Sequence, residues 1–211
     1  MDERSLTVTA NRTVGPDAIA LDIETPDDFS AQPGQFVKLT LEVDGEEQSR
    51  FYTISSPDVE GSFEMTVGID PDGDVAPYLA DLEAGDMVRI SGPFGSDYYE
   101  GEPRAVLLAG GPGIGPAIGI AERALAEGNE AAVVYQDDEP IHEDRLAALR
   151  EAGALVAVLD GDADLTDAVA EATADGGQVF IYGFADFLDG ATAALEAAGV
   201  DTEDAKVENF G

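Results

Sequence analysis

Apolar and polar residues alternate through the first half of the chain. Leu6, Val8 and Ala10 share one side of a repeat of two; so do Ile19, Leu21 and Ile23, then Val37, Leu39 and Leu41, then Phe63, Met65, Val67 and Ile69, with a shorter run at Val88 and Ile90. This period predicts antiparallel strands with one buried face, curled around a single core. Asp44-Gly45 and Glu60-Gly61 mark turns between them. A helical spacing of Tyr78, Leu79 and Leu82 predicts one short helix near residues 75–83. Six or so strands of this kind make a small barrel.

The pattern changes at Glu102-Pro103-Arg104. Beyond it the apolar runs are nearly continuous, at 105–109, 131–135, 154–159 and 179–182, as parallel strands covered on both faces require. Helical patterns lie between them: Leu165, Ala168, Val169 and Ala172 share one face, as do Phe187, Ala191, Leu195 and Ala198, with Gly199 as a stop. The expectation is a two-domain chain. Residues 1–101 form a six-stranded antiparallel β-barrel and residues 102–211 a doubly wound α/β domain with a parallel sheet.

Composition changes this picture in one respect. The chain of 211 residues has 45 acidic and 10 basic side chains, a formal net charge of −35, and Lys38 and Lys206 are its lysines. The acids are interleaved with the apolar pattern, which points to a folded, carboxylate-covered surface suited to concentrated salt and so to a halophilic source. Nucleic acid and anionic membranes are poor partners for such a surface. A basic apolar leader and a run of membrane-span length are both lacking, so the expectation is a cytoplasmic protein without membrane insertion. Without cysteine there is no disulfide, iron–sulfur cluster or thiolate nucleophile, and a single histidine, His142, leaves no Ser–His pairing and no metal site. His142 is assigned to the surface.

Two stretches carry candidate chemistry. On a strand, Arg50-Phe51-Tyr52-Thr53 puts Arg50 and Tyr52 on one face and Thr53 on the other. Arg50 presents a planar fork of donors to a phosphate, Tyr52 a flat ring to a conjugated system, and Thr53 a hydroxyl to a ring nitrogen. In Ala105–Pro116 an apolar strand breaks into Gly110-Gly111-Pro112-Gly113-Ile114 and opens a helix, so bare amides and the positive helix end face an anion.

Taken together, these stretches resemble the ferredoxin–NADP reductase-like flavin reductases, and the likeness covers nearly the whole chain. Pro33-Gly34-Gln35-Phe36-Val37, the Leu79–Val88 segment, Gly92-Pro93-Phe94-Gly95 and the terminal Glu208-Asn209-Phe210-Gly211 stand in the family's order. The resemblance implies an FAD-dependent NAD(P)H oxidoreductase that takes a hydride from nicotinamide and passes electrons to a separate ferredoxin, cytochrome, quinone or small molecule. Its alternative is a flavin-binding electron-transfer subunit or sensing module without turnover of its own. By resemblance, Arg50, Phe51, Tyr52 and Thr53 hold the flavin, with Thr53 beside its reactive nitrogen. Gly73, Val75 and Ala76 offer helix amides to the pyrophosphate, Ala76 standing where the family often has serine. Gly110, Gly111, Gly113 and Ile114 receive the dinucleotide, with Pro112 in place of a threonine. Gly183 and Phe184 flank the nicotinamide beside Tyr182, which replaces the family's cysteine. Glu208 is an active-site acid and Phe210 covers a flavin face. Asp137, in the acidic run 136–139, would repel a 2′-phosphate and accept from a ribose hydroxyl, which favours NADH over NADPH.

Overall fold

The computed structural model describes residues 2–211. Strands β1 (Arg4–Gly15), β2 (Ala18–Glu24), β3 (Phe36–Val43), β4 (Glu46–Thr53), β5 (Ser62–Gly68) and β6 (Met87–Phe94) form a six-stranded sheet in the order β4-β3-β6-β1-β2-β5. Every pairing in it is antiparallel. The turn from β3 to β4 needs two left-handed residues, and Asp44 (φ 51°) and Gly45 (φ 83°) supply them. The alternating residues close on one core: Leu6, Val8, Leu21, Ile23, Val37, Leu39, Phe63, Met65 and Ile90 are buried together. Helix α1 is short, Ala76–Ala80, and the Asn11 side-chain amide donates to the carbonyls of Leu79, Ala80 and Leu82 at its end.

The sheet curls until its outer strands meet. β4 and β5 touch just past the end of β4, where Ile54 bridges Met65 and the Ser55 amide donates to the Glu64 carbonyl. Closure stops there. Before it, residues 49–53 together with Thr66, Gly68 and Ile69 border one cavity.

The second sheet is parallel, in the order β11-β10-β7-β8-β9, built from β7 (Arg104–Gly110), β8 (Glu130–Gln136), β9 (Leu155–Leu159), β10 (Gln178–Gly183) and β11 (Lys206–Asn209). Within the continuous apolar run of β7, the period of two persists. Ala105, Leu107 and Ala109 pack under α2 (Ile114–Ala126) and α3 (Glu143–Glu151), while Val106 and Leu108 pack under α4 (Thr166–Thr173) and α5 (Ala185–Ala197). The strand order reverses between β7 and β10, and a crevice is expected beyond their C-terminal ends. β11 is not visible in the apolar pattern: Val207 is flanked by Lys206 and Glu208, because an edge strand needs apolar side chains on one face only.

The two sheets meet through α2. A methyl group on Gly115 would lie 2.2 Å from Thr66 Oγ1, and one on Gly119 would lie 2.7 Å from the Ser55 carbonyl oxygen. Both glycines face the barrel from one side of the helix, so the helix backbone rests directly against it. No helix among the described residues is long and apolar enough to cross a membrane.

Candidate functional site

A cavity of about 650 Å³ lies where the barrel is left open, between β4, β5, the start of α2 and the C-terminal segment. It is of the size usual for small-molecule and cofactor sites. β4 is an edge strand, hydrogen-bonded on one side to β3, so its last residues present both side chains and unpaired backbone to this space. Arg50, Phe51, Tyr52 and Thr53 all line it.

Arg50 is half-exposed. It donates to the Ser49 carbonyl and stands 3.9 Å from Asp74, which leaves most of its planar fork for an anion. Burial drives the Tyr52 phenol up to about 12 despite the nearby Arg50 charge, so Tyr52 is a neutral ring and donor. Thr53 is buried, and its hydroxyl donates to Glu208 Oε1 at 2.9 Å. Burial drives the Glu208 carboxyl up to about 7; the Thr53 hydrogen bond opposes this and the Asp97 charge adds to it. A barrel hydroxyl and a carboxyl that titrates near neutrality thus meet across 155 residues of chain.

The C-terminal end completes the wall. β11 pairs with β10 so that Glu208 lies beside Tyr182, and the Phe210 amide donates to the Gly183 carbonyl. Phe184 and Phe210 pack edge to face, centroids 6.2 Å apart, and both border the cavity with Glu208, Asn209 and Gly211.

The structure brings seven of the expected site residues to this space: Arg50, Phe51, Tyr52, Thr53, Phe184, Glu208 and Phe210. Others stand elsewhere. The Tyr182 ring is buried behind the wall, 1% exposed, with its hydroxyl directed at Gly34 of the barrel and without a hydrogen-bond partner. It does not narrow the cavity. Gly73, Val75 and Ala76 are not at the wall either: Val75 points into the barrel core, and Gly73 folds over Asp70 in a tight turn. Gly110, Gly113 and Ile114 are buried, and the smallness of the two glycines serves packing. A methyl on Gly110 would meet the Phe187 ring at 2.5 Å, and one on Gly113 would meet the Tyr182 carbonyl oxygen at 2.3 Å. Gly183 likewise lies under Phe187. Gly111, with φ +56° and nothing within 4 Å of a methyl position, is the open member of this loop. Pro112 and Pro116 reach the cavity where the glycines do not.

Asp137 borders a smaller cleft of about 120 Å³ that shares Asp17, Gly68 and Pro112 with the main cavity. Its carboxylate accepts from the Tyr135 hydroxyl and the Glu139 amide. His142 corrects the surface assignment. It is 5% exposed at the joint of the two domains, because Thr66 and Val14 of the barrel both bond to it. The cavity also takes Asp17, Thr66, Gly68, Ile69 and Asp70, which sequence reasoning missed. They follow from β5 lying opposite β4 across the opening, a pairing that no local motif announces.

Residues 5–99 match the family model described as the oxidoreductase FAD-binding domain. The glycine betaine monooxygenase reductase subunit of Chromohalobacter salexigens is 42% identical over 96 residues, which cover 44% of this chain and 26% of that protein. The chain thus spans about a quarter of that relative's length. Two solved structures superpose over their full length and all of this chain, each with a TM-score of 0.85. They are the flavohem-like FAD/NAD-binding domain of nitric oxide dioxygenase from Vibrio cholerae, at 22% identity, and a ferredoxin NADP+ reductase from Neisseria gonorrhoeae with bound FAD and NADP, at 18%. At these identities the likeness is one of fold.

Proposed function

We propose that this chain, a ferredoxin–NADP reductase-like flavoprotein by its FAD-binding domain and two-domain fold, is an FAD-dependent NAD(P)H oxidoreductase that passes electrons to a separate acceptor. The observation that carries this reading is the Thr53–Glu208 hydrogen bond at the wall of a cavity that also holds Arg50, Tyr52 and Phe210. The residues fit the cofactor: an arginine with free donors for a phosphate, an unpaired strand edge for ring heteroatoms, and aromatic rings for a flat ring system. FAD, when bound, supplies the acceptance of a hydride from nicotinamide and the release of electrons onward.

The protein's own part is binding and proton placement. Arg50 neutralises phosphate charge, Tyr52 and Phe210 bound the ring, and Phe210 moves aside to admit nicotinamide. Thr53 holds a hydroxyl where a ring nitrogen would sit, and Glu208 keeps that hydroxyl oriented and exchanges a proton near pH 7. The loop at Gly111 and Pro112 lies at the reversal of strand order, the side from which a dinucleotide would enter. Asp137, in the adjoining cleft, supports NADH over NADPH. Tyr182 stays clear of the cavity, which favours a turning-over reductase over a sensing module. The domains in this reading are residues 1–101 for flavin and 102–211 for nicotinamide. The acceptor is a protein or small molecule outside this chain, in keeping with a relative that is a reductase subunit. The charge of −35 supports a halophile's cytoplasm as the working medium.

The test is a visible spectrum of the FAD-loaded protein in concentrated KCl, followed by anaerobic NADH or NADPH. Bleaching of the flavin by either supports the reductase, and faster bleaching by NADH supports the role of Asp137. A flavin that stays oxidised with both overturns the reductase reading, and failure to bind FAD overturns the site.

A further inference from the structure

We infer that His142 is a positioning residue. It clamps the loop that carries Asp137 onto the barrel, and so sets the separation between the ribose-reading carboxylate and the flavin-holding strand β4. The inference rests on the proposed reading of Asp137.

The loop runs from Asp137 to Ile141 and is tied down at both ends. At its start, the Asp137 amide donates to the Leu159 carbonyl, within the α/β domain. At its end, the ties cross to the barrel. The His142 amide donates to the Val14 carbonyl of β1 at 3.0 Å, and its Nε2 shares a 2.9 Å hydrogen bond with Thr66 Oγ1 of β5. Thr66 itself borders the cavity. Ile141, beside His142, is seated on Gly15, where a methyl group would lie 2.2 Å from Ile141 Cγ2. One residue therefore grips two strands of the barrel and, through its carbonyl, which accepts from Leu146, begins α3.

The backbone shows that this grip is held against a local cost. His142 has φ 56° and ψ 31°, a left-handed conformation that residues with a side chain rarely adopt. The surrounding bonds keep it there. The charges of Arg12 and Arg145 act on the ring, and they are answered by Asp22, Glu64 and Glu122. Burial and these two arginines hold the imidazole down to about 3, so it is neutral and the Thr66 bond persists through the neutral range. Arg145 makes an independent tie from α3 to Glu64 and to the Ser55 carbonyl. Loss of the His142 ring therefore loosens the 137–141 loop while the domains stay joined.

The experiment is His142→Gly, which keeps the left-handed backbone and deletes the ring. Steady-state kinetics with NADH on the FAD-loaded protein, with ferricyanide in excess as the electron acceptor, are read alongside hydrogen exchange over residues 137–142. The expected result is a KM for NADH raised roughly tenfold, the scale of one lost buried hydrogen bond, with kcat within about threefold. Exchange in the loop quickens, the flavin spectrum is unchanged, and His142→Asn, which tolerates the same backbone and carries an amide, recovers part of the KM. An unchanged KM, or a fall in kcat at constant KM, overturns the inference. Should His142→Gly fail to fold, His142→Asn is compared with the wild type instead, and a smaller rise in KM with quicker exchange in the loop is expected. Should the wild-type protein show no turnover with NADH or NADPH, the functional reading fails on its own. The clamp is then decided by exchange alone: faster in the variant supports it, unchanged overturns it.

Discussion

Glu208→Gln isolates a buried proton. In the folded protein the Glu208 carboxyl is raised from 4.5 to about 7, chiefly by burial. Between those two values the folded state holds a proton that the unfolded state has released, so stability falls as pH rises. A tenfold change in proton affinity corresponds to about 1.4 kcal/mol, which sets an upper figure of about 3.5 kcal/mol; allowance for partial exposure brings it to about 2 kcal/mol. Glutamine keeps the shape and an oxygen to accept from Thr53, and it does not titrate. The assay is urea unfolding of both proteins from pH 5 to pH 8 at one fixed, high KCl concentration, so that the other carboxylates contribute equally to each. At pH 5, half a unit above the unfolded value, the variant already leads by somewhat under about 1 kcal/mol. By pH 8 the variant is the more stable by about 2 kcal/mol, since the wild type must then bury a charge or lose its fit. A difference that stays flat across this range, or has the opposite slope, refutes the placement of Glu208 in a low-dielectric wall. The same titration governs proton exchange at Thr53, so the wild-type rate of flavin reduction shows an inflection near pH 7 that the variant lacks.

Arg50→Ala removes the forked cation at the cavity mouth and weakens FAD by about 2 kcal/mol, roughly 30-fold in Kd, read by fluorescence titration at constant KCl. Tyr182→Phe deletes a buried hydroxyl that has no partner, and is expected to leave stability unchanged or raise it by about 1 kcal/mol in thermal unfolding. Gly113→Ala drives a methyl group against the Tyr182 carbonyl oxygen and costs at least about 2 kcal/mol, whereas Gly111→Ala meets open space and costs about 1 kcal/mol for its left-handed backbone. Unfolding midpoints of the wild type rise steeply with KCl as the screening length shrinks from about 10 Å at 0.1 M to about 3 Å at 1 M; a flat dependence would contradict the halophilic reading of the −35 charge.

Local pattern alone determined the two kinds of sheet. Period-two alternation and continuous apolar runs report whether one face or both faces of a strand are covered, and that is decided residue by residue along the chain. The cavity-lining stretch on β4 was also legible, because Arg50, Tyr52 and Thr53 are neighbours and a strand alternates whatever its surroundings. Three things had to wait for the tertiary structure. The partner of Thr53 lies 155 residues away, and the neutral pKa of Glu208 exists only once the C-terminal segment is buried. The glycines of the 110–115 loop read as an open anion cradle, yet Gly110, Gly113 and Gly115 are small because Phe187, Tyr182 and Thr66 press on them from other elements. His142 sits in so acidic a stretch that charge pattern put it in solvent; burial came instead from Val14 and Thr66, residues of the other domain. A sequence specifies what each segment can cover or expose. Which distant surface does the covering is a property of the closed chain.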